Sequence, residues 1–321
     1  MVRLLLAVAC VVIFGMHISR AQETECTLAP RLVVSNEGRV LQDIIVNVRE
    51  EPGLSGEYIG RMPSAGMFTL LDGPRCVDGY QWWQVDYHHA IDPMTGWVAE
   101  GDAAAEEYWL EPRGVRGVVT GDDEVERYYV ELPDGTTEPE GCLAPPENYE
   151  RAVVNGEQLN QRTLFMLDHA EQLFTAQGGW IDFRSTVTQG SYSNLVSASF
   201  GTHDGGGAVD ISVRNTTDWS VRDDVDEMIY ALRVAGFAAW LREADVFYPD
   251  SPIHIHAIAV GDQELSDAAR AQIDGDEGYL RGLDGLPAEY NGPDADPHGG
   301  PVICQWMVEA GFDEISEEAA G

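Results

Sequence analysis

The sequence predicts an α+β chain in two parts, a small all-β barrel followed by a larger domain of strands and helices. Three observations lead there. From about residue 27 to 112, short apolar-alternating runs recur between Gly and Pro residues, the spacing of a small antiparallel barrel. Beyond residue 147, helix-period stretches and β-branched runs follow one another with no regular strand-helix-strand rhythm, which separates α+β from a parallel α/β fold. Between the two, residues 113–146 are acidic and rich in Gly and Pro, the composition of a linker.

Taken in order, residues 1–21 join Arg3 to an apolar run from Leu4 to Met16 and then to Ser19, Arg20 and Ala21. This reads as a secretory signal peptide cut near Ala21, its apolar run too short to span a bilayer comfortably. The mature chain is therefore expected to be exported, with no stable membrane insertion. In the barrel, strands are expected in Ile44–Arg49, Phe68–Leu71, Tyr80–Tyr87 and Thr95–Glu100, with Trp83 and Trp97 as core fillers. The linker holds one alternating run, Arg127–Leu132.

The second domain, residues 147–310, opens with a helix over Gln158–Ala176, because Leu159, Leu164, Leu167, Ala170 and Phe174 recur every three to four residues and Gly178 and Gly179 follow. His169 is placed on the surface of that helix. Phe183–Gln189 reads as a strand, as does Ala208–Val213. Asp223–Ala235 carries Val225, Met228, Ile229 and Leu232 on one face, a second helix ended by Gly236. The aliphatic run Ile253–Val260 reads as a buried strand. A helix over Ser266–Ile273 precedes Gly/Asp/Pro-rich chain to Gly300, in which His298 reads as a tail residue, and residues 311–321 form an acidic tail.

Composition limits the function. A 44% hydrophobic content over 321 residues is that of a globular chain long enough for two domains. With 19 Lys plus Arg against 55 Asp plus Glu, the net charge of -36 argues against nucleic acid or an anionic membrane as partner. After signal cleavage four cysteines remain, an even number in an exported chain, and thus two disulfides. Domain logic prefers Cys26 with Cys76 and Cys142 with Cys304. No Cys-x-x-Cys pair is present, which removes a thiolate metal site or a redox motif.

The chemistry gathers in Ser199 to Asp210 and in His254-Ile-His256. His203 and Asp210 flank three glycines, Gly205 to Gly207, that allow a tight turn bringing the imidazole back beside the carboxylate. On a strand, His254 and His256 point to one face. Both can reach one ion, or one can bind it while the other faces the reacting group. Two neutral imidazoles and one carboxylate suit a single zinc ion, with a fourth position left for water.

His203, six residues, Asp210, then a later His-x-His resembles the zinc peptidases of the D-alanyl-D-alanine carboxypeptidase, lysostaphin and Hedgehog group, over roughly residues 150 to 270. The resemblance implies an α+β zinc domain of the Hedgehog/DD-peptidase type that acts on peptidoglycan stem peptides. It implies His203, Asp210 and His256 as metal ligands and His254 as the catalytic His. It offers Arg184, Gln189 and Ser199 as substrate-binding candidates. The carboxypeptidase branch carries a general-base Glu three residues before the last ligand; here that place is Ile253. The first His of the pair would take the role, and Asp250 is a further candidate. A non-catalytic zinc-containing module that binds wall or peptide is the alternative. Asn47-Val-Arg49, Trp82 to Val85 and Gly96-Trp-Val98 look like a bacterial Src-homology-3-like domain, a frequent companion of cell-wall hydrolases.

Overall fold

The computed structural model describes residues 26–90, 92–120, 126–193, 199–245, 251–290 and 292–315. The expected signal peptide and Asp250 lie outside them. Among the described residues no helix is long and apolar enough to cross a membrane. The chain is mixed and strand-rich, with several small antiparallel sheets, and the α+β expectation holds at that level.

The first part is one seven-stranded antiparallel sheet of β1 (Glu37–Val40), β2 (Val46–Arg49), β3 (Tyr58–Met62), β4 (Met67–Val77), β5 (Tyr80–Tyr87), β6 (Met94–Ala99) and, after the small ladder of β7 (Gly101–Asp102) and β8 (Glu107–Tyr108), β9 (Leu110–Pro112). Its strand order is β3-β2-β6-β5-β4-β1-β9. Met62 on one edge strand and Leu110 on the other join Val48, Phe68, Trp83, Val85 and Val98 in a single core, so the sheet curls around it. Trp97 is buried on the opposite side beside Trp82. No hydrogen bonding between β3 and β9 closes the ring among the described residues.

Residues 113–146 are not a linker with one short strand. They form a second antiparallel sheet of β10 (Val115–Thr120), β11 (Glu126–Glu131) and β12 (Thr137–Pro139). Surface acidity hides this pairing from a composition reading. Arg39 reaches across from β1 to the Cys142 carbonyl and to Glu111, and Arg113 pairs with the buried Glu138.

The last part opens with the hairpin of β13 (Arg151–Val154) and β14 (Glu157–Asn160). Helix α1 (Gln161–Ala176) follows, capped by Asn160, whose side-chain oxygen accepts from Thr163 N at 2.8 Å. The expected strand over Phe183–Gln189 is instead a short helix, α2 (Phe183–Thr186), capped by Asp182, with only β15 (Val187–Gln189) extended. A four-strand sheet runs β15-β16-β18-β17, with β16 (Ala208–Ser212), β17 (Phe237–Arg242) and β18 (His254–Ala259). Helix α3 (Val225–Val234) precedes β17, α4 (Asp267–Asp274) follows β18, and α5 (Gln305–Glu309) ends the fold.

Strand periodicity divides this sheet cleanly. Val209, Ile211, Ala239, Ile255 and Ala257 pack on one face against α1 and α3. Ala208, Ala238, Trp240 and Ile258 point to the other, where α4, Tyr279 and Leu280 cover part of it. The chain beyond α4 is held on that second face by Arg233. Its guanidinium, 1% exposed, bonds Asp296 Oδ2 at 2.6 Å, the Gly300 carbonyl at 2.8 Å and the Ala239 carbonyl at 2.7 Å. His298 is accordingly no tail residue: Leu241 N donates to its Nε2 at 3.3 Å and Asp226 lies 2.9 Å from its Nδ1. Phe312 and Ile315 also pack on this core, so the expected tail from residue 311 is anchored at least to 315.

Cys26–Cys76 and Cys142–Cys304 are both formed. His169 is not a surface residue. It is 3% exposed on α1, with Nε2 2.7 Å from the Gly141 carbonyl, a partner contributed by the segment after β12.

Candidate metal centre

The open part of the second sheet face carries the site. Because β16 and β18 are antiparallel with Asp210 directly opposite His256 and Ser212 opposite His254, the carboxylate and both imidazoles project to the same side. His256 Nδ1 lies 2.8 Å from Asp210 Oδ1, and His254 Nε2 lies 3.7 Å from it. His203 comes from a 3-10 turn over Thr202–Asp204 and brings Nε2 to 3.2 Å from that oxygen.

The three glycines serve close approach more than bending. A Cβ at Gly205 would sit 2.3 Å from the Glu264 carbonyl oxygen and 2.4 Å from Ser266 N, so only glycine fits against the start of α4. Gly207 also has a φ of 79°.

Hydrogen bonds at the far side of each ring set the tautomers. The Gly190 carbonyl lies 2.8 Å from His203 Nδ1, and the Pro252 carbonyl 2.8 Å from His254 Nδ1. A carbonyl can only accept, so both Nδ1 atoms carry hydrogen and both Nε2 atoms face Asp210 with lone pairs in the neutral rings. Lone pairs facing a carboxylate oxygen repel it, and either a proton on the ring or a metal ion between them relieves that repulsion.

The group fits a metal ion. One ligand atom from each of His203, Asp210 and His256 lies within 4.8 Å of the other two. In a tetrahedral site with bonds near 2.0–2.1 Å, ligand atoms stand roughly 3.3 Å apart. The 3.2 Å edge from His203 matches that spacing, and the 2.8 Å edge from His256, a hydrogen bond as it stands, would open by about 0.5 Å to accommodate an ion. Burial alone would raise the Asp210 pKa, but His203 and His256 outweigh it and hold the carboxyl well below its usual range. Burial likewise opposes charge on His203, yet neighbouring Asp210 leaves its pKa raised on balance. Burial dominates at His256 and pushes its pKa down to about 4, favouring the neutral ring a metal needs.

These residues floor a cavity of about 230 Å³ whose walls include Phe200, Gln272, Leu286 and Tyr290. Four buried polar atoms that line it have no hydrogen-bond partner among the described residues: Arg242 Nη2, Ser251 Oγ, His256 Nε2 and Gln272 Oε1. Buried polar groups are rarely left so, and their gathering in one cavity marks a place for a polar ligand. Arg242 stands opposite His254 on β17, stacks on Trp240 and gives Nη1 to the Asp284 carbonyl at 2.8 Å. Burial lowers its pKa to about 10.

Of the expected substrate contacts, Gln189 and Ser199 line the cavity, bonded to each other at 2.5 Å. Arg184 does not line it. It faces solvent from α2 in a two-pronged ion pair with Asp168. Ile253 lies 9% exposed in the α1/α3 core, on the face away from the cavity, where no side chain can act as base. Sequence reading missed Arg242, Ser251 and Gln272. The one available signal was period-two alternation in Phe237–Arg242, which puts Arg242 in phase with Trp240 and so on the histidine side.

Comparison with protein-family models, with curated proteins and with solved structures found no match to this chain.

Proposed function

We propose that the chain is an exported zinc-dependent peptidase that acts on peptidoglycan stem peptides. The observation that carries the reading is the meeting of His203, Asp210 and His256 on the floor of a cavity rimmed by unsatisfied polar groups, with His254 beside them. The wall peptide as substrate rests on the motif's resemblance to the D-alanyl-D-alanine carboxypeptidase group and on the Src-homology-3-like pattern of residues 27–112.

A zinc ion held by His203, Asp210 and His256 would polarise a scissile carbonyl and bring the pKa of a water toward neutrality. The protein's own residues do the rest. His254, its Nδ1–H anchored on the Pro252 carbonyl, keeps Nε2 free to take a proton and pass it to the leaving amine. Asp210, 3.7 Å away, steadies the ring while it is charged. Arg242 Nη2 and Ser251 Oγ supply donors suited to a peptide carboxylate or carbonyl, and Gln272 Oε1 an acceptor for an amide N–H. Phe200, Leu286 and Tyr290 narrow the space from which water must be displaced.

The competing reading is a zinc-containing module that binds wall or peptide without cutting it, and the placement of Ile253 favours it, since the usual carboxylate base has no counterpart there. Digestion of purified muropeptides, followed by mass spectrometry with and without chelator, separates the two. Chelator-sensitive release of D-alanine or of a cleaved cross-link is expected. A zinc-loaded chain that retains muropeptides but releases nothing would overturn the peptidase reading.

A further inference from the structure

We propose a second divalent-cation site, of the zinc class, formed by Glu37, His88 and Glu140 where the first sheet meets the sheet of residues 115–139. Glu37 begins β1, His88 follows β5 and Glu140 follows β12, so three separate segments converge there. Their ligand atoms lie within 4.8 Å of one another. A third such group, Glu138 with Cys142 and Cys304, carries nothing, because both sulfurs are spent in the disulfide.

The hydrogen bonds around His88 leave a place that a cation fills. Thr69 Oγ1 donates its one hydrogen to Glu37 Oε1 at 2.7 Å, and so it accepts from His88 Nε2, also at 2.7 Å. That fixes hydrogen on Nε2 and turns Nδ1 toward two carboxylates, 3.0 Å from Glu140 Oε1 and 3.5 Å from Glu37 Oε2. A proton on Nδ1 can serve Glu140 well, but it leaves Glu37 Oε2 without a hydrogen bond. The Glu37 side chain is 0% exposed, so an unserved oxygen there carries the full cost of burial. One ion bound to Nδ1, Oε1 and Oε2 satisfies all three atoms.

The donor set and its spacing suit zinc. The 3.0 and 3.5 Å edges bracket the roughly 3.3 Å between ligand atoms of a tetrahedral site. Arg116 Nε holds the other oxygen of Glu140 at 2.9 Å and so orients Oε1 toward His88. His88 and Glu140 line a cleft of about 1000 Å³, from which water can supply a fourth ligand. Such an ion would tie the first sheet to the sheet of residues 115–139, a cross-link in addition to the two disulfides.

Zinc stoichiometry of the mature chain, measured by elemental analysis after gel filtration, tests this independently of activity. Two equivalents are expected in the wild-type chain. Asp210→Ala should keep one, and Asp210→Ala with His88→Ala should keep none. Added zinc should raise the melting temperature of Asp210→Ala, and that rise should vanish in Asp210→Ala with Glu37→Gln, a shape-preserving change that guards against misfolding at His88. One equivalent in wild type and none in Asp210→Ala would overturn the second site and leave the first standing. One equivalent in both, lost with His88→Ala, would uphold the second site and remove the metal from the proposed peptidase.

Discussion

The side chain at position 253 offers a sharp test, because the carboxypeptidases that the metal motif resembles place their base there and this fold turns it inward. Ile253→Glu would put a carboxyl among Ile211, Ile255 and the α1/α3 side chains. Losing the buried isoleucine costs about 1.5–3 kcal/mol. Confining an unpaired carboxyl there adds about 1–3 kcal/mol even when burial raises its pKa and keeps it neutral. The sum, about 2.5–6 kcal/mol, is a large part of the roughly 5–15 kcal/mol that holds a domain folded. Urea unfolding followed by circular dichroism should show a lower midpoint at an unchanged slope, and zinc-dependent muropeptide turnover should not rise. Ile253→Val, with a cost of about 0.5–1.5 kcal/mol, is the mild control. An Ile253→Glu variant as stable as wild type and faster on substrate would refute the reasoning, since its carboxylate would then have to reach the cavity.

Three further outcomes are expected. His169 is buried with its pKa pushed down to about 4, against an ordinary 6.5, so the folded state excludes a proton that the unfolded chain accepts. Its contribution is present above pH 6.5 and lost as pH falls toward 4, up to about 3 kcal/mol; His169→Asn should flatten that part of the stability-pH curve, and an unchanged curve would mean the ring charges without cost. Arg242→Gln should raise KM for muropeptides roughly ten-fold, as expected for loss of a charged hydrogen bond, with zinc content unchanged; steady-state kinetics showing KM at the wild-type value would remove Arg242 from substrate recognition. Replacing Cys142 and Cys304 by Ser opens a bridge between residues 162 apart in sequence and should cost about 2–5 kcal/mol in chemical unfolding, whereas no loss would mean that the bridge adds nothing to stability.

What could be read from sequence was whatever local periodicity dictates. Alternation alone put His254 and His256 on one strand face, and three glycines between His203 and Asp210 marked a tight turn, although the close approach of α4 is what Gly205 chiefly serves. Domain logic also sufficed to pair the cysteines. What escaped depended on contacts distant in the chain. His169 sits at a plausible surface position of α1 until Gly141 arrives over it. The strands of residues 115–139 are short, the acidic and Gly/Pro residues gather in the segments between them, and their partner is each other, which composition does not reveal. The β-branched run Thr186–Thr188 draws Phe183–Gln189 toward a strand reading, but the Asp182 cap and a Phe183 side chain buried against Phe174 make Phe183–Thr186 one helical turn. Arg242 closes an apolar run that reads as core, and its role emerges only from its register with His254.

Anomalous diffraction at the zinc edge from crystals of the wild-type chain tests the central claim most directly. A peak is expected within bonding reach of His203 Nε2, Asp210 Oδ1 and His256 Nδ1, with His254 outside that distance. A zinc-loaded crystal with no anomalous density between those three atoms would contradict it.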